Sequence, residues 1–133
     1  MIKVLTLKEP IGKIQNAEDI FNKVKKINID HSKENFLLIT LNTQNQVINT
    51  HIVFIGILNA SVIHPREIFV KAILDHANSI IIAHNHPSNN LAPSNNDIEI
   101  TKIIKNSGEI LGINLIDHII FNEKEYYSII NYM

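Results

Sequence analysis

Cysteine is absent from the sequence. That absence excludes a disulfide framework and every thiolate metal site, so a transition-metal site here must use histidine and carboxylate. Neither sign of charge dominates. Twelve Lys and Arg against 13 Asp and Glu leave a net charge of -1, which gives no overall electrostatic argument for nucleic acid or an anionic membrane. Long apolar runs are missing too. None approaches the roughly 18 residues that would span a bilayer. Residues 1–10 lack a basic region followed by an apolar stretch, so no signal peptide is expected and a soluble, cytoplasmic protein is the default. No internal repeat, linker or low-complexity segment stands out. What is present is apolar side chain, at 45% of 133 residues with Ile dominant. This is enough for one globular domain over residues 1–133 with its own core.

Apolar spacing gives the element order. Ile2, Val4, Leu5 and Leu7 suggest a short edge strand before Pro10 and Gly12. Asn16 is placed to cap a helix over 17–27, where Ile20, Phe21, Val24 and Ile27 repeat at helical spacing. Lys23, Lys25 and Lys26 then read as its solvated face, with a local basic patch as the other reading. Residues 34–41 and 46–55 read as a hairpin around a turn at 42–45. Pro65 and Glu67 open a second helix whose apolar side would carry Phe69, Val70, Ile73, Leu74 and Ala77. Residues 79–83 read as a buried strand, 84–93 as a loop, and 94–106 as a helix closed by Gly108. Residues 113–121 form another strand, and 126–132 a last strand or helical turn. Helices alternating with strands around one sheet indicate an α/β or mixed α+β class.

The chemistry-bearing stretch is His84-Asn85-His86, followed after seven residues by Ser94 and then Asp97. Extended residues two apart point the same way, so both imidazoles can face one point as the chain leaves its strand. Asp97, in the first turn of the next helix, can be folded back to the same point. Two imidazoles and one carboxylate suit Zn²⁺, with a fourth position open for water. Ser94 and Asp97 also fit an ordinary helix cap with an acid in the first turn. That local reading leaves the two histidines unexplained, and spacing alone leaves both readings open.

A zinc hydrolase needs a proton carrier as well. Glu99 is near in sequence but faces away from Asp97 on the helix. Glu67 is accounted for as a helix-start residue. Glu34 opens a core strand, where an acid is less expected. It is the better candidate, against the alternative of a solvated strand end.

Glu34, His84-x-His86, Ser94 and Asp97 together resemble the JAMM signature of the JAB/MPN metalloprotease superfamily. Pro65-Arg66-Glu67, Ala83 to Ser88, Pro93-Ser94, Leu111-Gly112-Ile113 and Asp117-His118 resemble its RadC-like branch. The resemblance covers about residues 16–128. It implies a cytidine-deaminase-like fold, a central mixed β-sheet flanked by helices. It implies Zn²⁺ on His84, His86 and Asp97, with Glu34 as general base and then acid. Ser94 would stabilise an oxyanion. The implied chemistry is hydrolysis of peptide or isopeptide bonds in a protein or peptide substrate. The loop departs from the branch's common Pro-Ser-Gly-Asp, reading Pro87-Ser88-Asn89-Asn90. Asn enters left-handed backbone more readily than most residues, so the turn is expected to survive.

Asp117 and His118 belong to the branch pattern without an assigned role. As neighbours on a strand they point to opposite faces, so at most one should reach the site. It would orient a ligand imidazole or be a satisfied buried polar group. His31, His51, His64 and His76 lack ligand spacing and read as structural or exposed. The competing function is a DNA-repair or mobile-element accessory factor, which rests on the RadC name and would need a basic surface beside the cleft. A nucleobase deaminase is excluded because its Pro-Cys-x-x-Cys half cannot be built without cysteine. A vestigial binding module would not need all five site residues. The oligomeric state is left open.

Overall fold

The computed structural model describes residues 12–59 and 61–132. The strand expected around Ile2 to Leu7 lies outside them. Helix α1 is Ala17–Val24, followed by strands β1 (Asn35–Leu41) and β2 (Val47–Ile55). Helix α2 (Pro65–Leu74), strand β3 (Ser79–Asn85), helix α3 (Asn95–Leu111) and strand β4 (Asn114–Phe121) follow. Strand β5 (Tyr126–Ser128) runs directly into helix α4 (Ile129–Tyr132), so the ambiguous C-terminal stretch is strand and then helix. The sheet order is β2-β1-β3-β4-β5. All neighbours are antiparallel except β3 and β4, which are parallel and joined through α3. The sheet is therefore mixed, as expected.

Strands β1 and β3 lie in the middle and are buried along their whole length. Alternation divides their side chains between two cores. Phe36, Leu38, Ile80 and Ile82 face α2 and α3, packing on Ile68, Phe69, Ala72, Ile100 and Ile104. Leu37, Ile39, Ile81 and Ala83 face α1, packing on Ile20, Phe21 and Val24. Asn16 caps α1 as its position suggests, accepting from the Asp19 amide at 2.9 Å.

Three helices differ from the expected pattern. Helix α1 already stops at Val24, short of the expected Ile27. In α2 the core takes Ile68, Phe69 and Ala72. Val70, Ile73 and Leu74 are exposed, because these three contacts set the rotation of the helix. Helix α3 does not stop near Asn106. It runs through Gly108 to Leu111, and Gly112, at φ 76°, makes the left-handed cap. Gly108 is needed for packing rather than termination. A Cβ there would collide with the carbonyl oxygen of Ile113, whose amide donates to the Gly108 carbonyl at 2.9 Å. Ala is the better helix former by about 1 kcal/mol, but forcing the turn apart costs roughly 1–3 kcal/mol. Gly108→Ala should therefore lower the urea midpoint without changing its slope. A raised midpoint would mean the turn yields freely.

Candidate metal centre

The site is built at the carboxyl edge of the parallel pair. In open sheets with a β-α-β connection, strand ends and the following helix start face one crevice. His84, next to last in β3, lies on the α3 side of the sheet, paired with Phe36 of β1 and Ile120 of β4. The His86 amide donates to the Phe121 carbonyl at 3.0 Å, holding the strand end on β4. The expected loop therefore begins two residues later than the sequence suggests, since His84 and Asn85 still belong to β3. Asp97 occupies the third position of α3. Its side chain accepts from the Ser94 amide at 2.8 Å, and its own amide donates to Ser94 Oγ at 3.0 Å. This reciprocal cap fixes the carboxylate at the helix start.

His84, His86 and Asp97 come together. His84 Nε2 lies 3.0 Å from His86 Nε2. Asp97 Oδ1 is 3.1 Å from His84 Nε2, and Asp97 Oδ2 is 3.3 Å from His86 Nε2. Donor atoms about 2.0–2.1 Å from one tetrahedral ion stand about 3.3 Å apart, so the spacing suits a shared cation. The orientation suits it as well. His86 Nδ1 donates to the Asn90 carbonyl at 2.9 Å. A carbonyl only accepts, so the Nε2 lone pair of neutral His86 is left facing the site. This contact is made without left-handed backbone at Asn89 or Asn90, since the described non-glycine residues with positive φ are Asn45 and His76. The donor set can hold a metal ion.

Burial sets the direction of access. The His84 side chain is fully covered and that of Asp97 is 4% exposed, whereas His86 is 16% exposed. A polar cavity of about 130 Å³ opens beside His86, lined also by His31, Asn122 and Lys124. Spacing gave His31 no place near the site, because it reaches the cavity only through the fold. Burial tends to raise the Asp97 carboxyl, but the adjoining His84 and His86 rings and the Ser94 amide, which donates to it, outweigh burial and hold Asp97 far below its ordinary range. Burial tends to lower His86, yet Asp97, the Asn90 carbonyl and the charge of Glu34 together raise it.

Glu34 precedes β1 and is half-buried. In the β1–β3 register Phe36 pairs with His84, so two residues further along Glu34 falls opposite His86. Its charge acts on His86. Two asparagines hold that segment in place. Asn85 Oδ1 accepts from the Asn35 amide at 2.7 Å, and Asn85 Nδ2 donates to the Lys33 carbonyl at 2.8 Å. Asn35 Nδ2 donates to the Asp30 and Lys33 carbonyls, both at 2.9 Å. Sequence reading gave neither asparagine a role, although a buried Asn between two histidines was a signal. Ser94 is exposed and serves as the α3 cap. Its Oγ accepts from Asp97, so its own proton is left to donate. Glu67 and Glu99 are exposed.

Asp117 and His118 do point to opposite faces. Asp117 accepts from Ser128 Oγ at 2.8 Å and from the His118 amide at 2.7 Å. Burial pushes its carboxyl above the ordinary range despite these bonds. His118 is fully buried on the same face of the sheet as His84, against its ring. His51 belongs elsewhere, pairing with Asp75 at 2.8 Å.

Two imidazoles and a carboxylate at the open edge of a mixed α/β sheet define a domain that can carry a metal ion. The model of the RadC-like JAB domain matches residues 14–132, and the chain belongs to that family. Among the described residues the five-stranded mixed sheet with flanking helices is consistent with a JAB/MPN fold. A UPF0758 protein of Chlorobium chlorochromatii is 46% identical over 118 residues, 89% of this chain and 53% of the relative. One from Methanosarcina mazei is 38% identical over 123 residues, 92% of this chain and 54% of the relative. The chain thus spans about half the length of these curated relatives. Among the described residues no helix is long and apolar enough to cross a membrane.

Proposed function

We propose that this domain is a zinc-dependent hydrolase of peptide or isopeptide bonds, with His84, His86 and Asp97 as the metal ligands. The observation that carries this reading is the convergence of two Nε2 atoms and both Asp97 oxygens within 3.0–3.3 Å. Bound there, zinc would supply a water acidified toward a pKa of about 7 and a Lewis acid for the substrate carbonyl. Glu34, opposite His86, would serve as the proton carrier, its carboxylate accepting a proton from the attacking water and giving it to the departing amine. The Ser94 hydroxyl donates to the oxyanion that develops on the substrate. His86 and its cavity lie on the solvent side, where a substrate chain enters.

The test is metal content by elemental mass spectrometry, wild type beside His86→Ala. About one zinc per chain in the wild type, lost in the variant, is the expected result. No metal in either protein, even after exposure to zinc, would overturn the hydrolase reading. A different stoichiometric metal would keep the site and replace the ion.

A further inference from the structure

Behind the ligands lies a chain of buried polar groups that the proposed reaction does not use. His84 Nδ1 is 2.8 Å from His118 Nε2. His118 Nδ1 is 2.6 Å from Thr101 Oγ1, and Thr101 Oγ1 is 2.7 Å from the Asp97 carbonyl oxygen. His84, His118 and Thr101 are each 0% exposed. The chain crosses all three parts of the β3-α3-β4 unit. It starts on one proposed ligand and ends on the backbone of another.

The direction of these bonds follows from proton counting. Two oxygens 2.7 Å apart need a proton between them. The Asp97 carbonyl has none, so the Thr101 hydroxyl must donate to it. That hydroxyl has only one proton. It therefore accepts from His118, which places the His118 proton on Nδ1. His118 Nε2 is then a lone pair, and it can only accept from the Nδ1 proton of His84. With Nδ1 so engaged, the nitrogen that His84 turns to the site is Nε2, which in the neutral ring is a lone pair. Phe36 keeps the two rings in place, lying nearly parallel to His84 at 6.2 Å and edge-on to His118 at 6.0 Å.

We propose that Thr101 and His118 are positioning residues, a one-way hydrogen-bond chain that fixes His84 as the Nδ1–H tautomer and so sets its affinity for the metal. This rests on the metal reading above. Histidine ligands ordinarily donate their second nitrogen to an outer partner, whose removal weakens metal binding by about 10–100-fold. Here the partner is itself a histidine, whose tautomer is dictated by a threonine.

Two measurements test it separately. Long-range ¹⁵N–¹H correlation on metal-free protein reads the ring protons without any metal. Protons on Nδ1 of both His84 and His118 are expected, and a His118 protonated on Nε2 would overturn the proposal. Zinc titration against a chelating indicator then reads the consequence. His118→Leu should bind about 10–100-fold more weakly, while His118→Gln, whose amide oxygen can accept from His84, should recover most of the loss. Thr101→Val, which keeps the shape and loses the hydroxyl, should weaken binding, with Thr101→Ser restoring it. Leu and Val variants that bind like the wild type would also overturn it. A wild type with the expected tautomers and no zinc affinity would uphold the hydrogen-bond direction and overturn the metal reading, and with it the role of the chain.

Discussion

Glu34→Gln is expected to retain the full complement of zinc while losing hydrolysis by about 10²–10⁴-fold, the usual share of a positioned general base. The substitution is nearly isosteric and leaves the backbone untouched, so the Glu34 carbonyl keeps the Gly56 amide at 2.9 Å. The Asn35–Asn85 clamp that carries residue 34 also stays intact. What disappears is the group proposed to take and return a proton in the reaction. Metal content and turnover on a peptide or isopeptide substrate, measured on one preparation, separate this from loss of the site. Full turnover in the variant would show that another group carries the proton. Loss of zinc along with turnover would mean that Glu34 acts mainly through its charge on His86.

The parts of this site that were legible in the sequence are the local ones. His84 and His86 could be read from strand parity, and Ser94 with Asp97 from the grammar of helix starts, since both signals span a few residues. Glu34 stood out as an acid at a core strand and became specific only through the family resemblance. The supporting contacts are long-range. Asn85 meets Asn35 across 50 residues, and His118 meets His84 across 34. Such pairs depend on sheet register, which no local pattern encodes. Thr101 reads as a plain helix residue until β4 brings His118 to it. The helix errors have the same origin. Gly108 resembles a stop signal unless the closeness of Ile113 is known. The outer apolar residues of α2 resemble its core face until Ile68, Phe69 and Ala72 fix the rotation.

Zinc is expected to raise the melting temperature by roughly 12–20 °C when its free concentration is about a thousand times the dissociation constant, equivalent to about 4 kcal/mol for a domain of this size. The rise should grow with pH, and the ionisable groups say why. In the metal-free protein the folded value of His86 is raised. Its contribution to stability is therefore complete below about pH 6.5 and is lost as pH climbs through the folded value. The folded value of His118 is lowered, chiefly by burial. Its contribution is complete above about pH 6.5 and is lost below, because the unfolded chain takes up a proton that the core refuses. Asp97, also lowered, adds a loss that begins only below about pH 4. The metal-free domain should thus be most stable near neutrality. Zinc needs neutral imidazole, so at the raised His86 it competes with protons in acid and meets little competition in mild alkali. Calorimetry at about pH 6 and about pH 8 should show the larger zinc-induced shift at the higher value. Asp97→Asn keeps an oxygen for the Ser94 amide but removes the anionic ligand, and it should lose most of the shift at both. It should also flatten the alkaline decline of the metal-free protein, because Asp97 is a principal group raising His86. An equal shift at the two pH values, or an undiminished shift in Asp97→Asn, would mean that zinc stabilises the chain from somewhere other than these three residues.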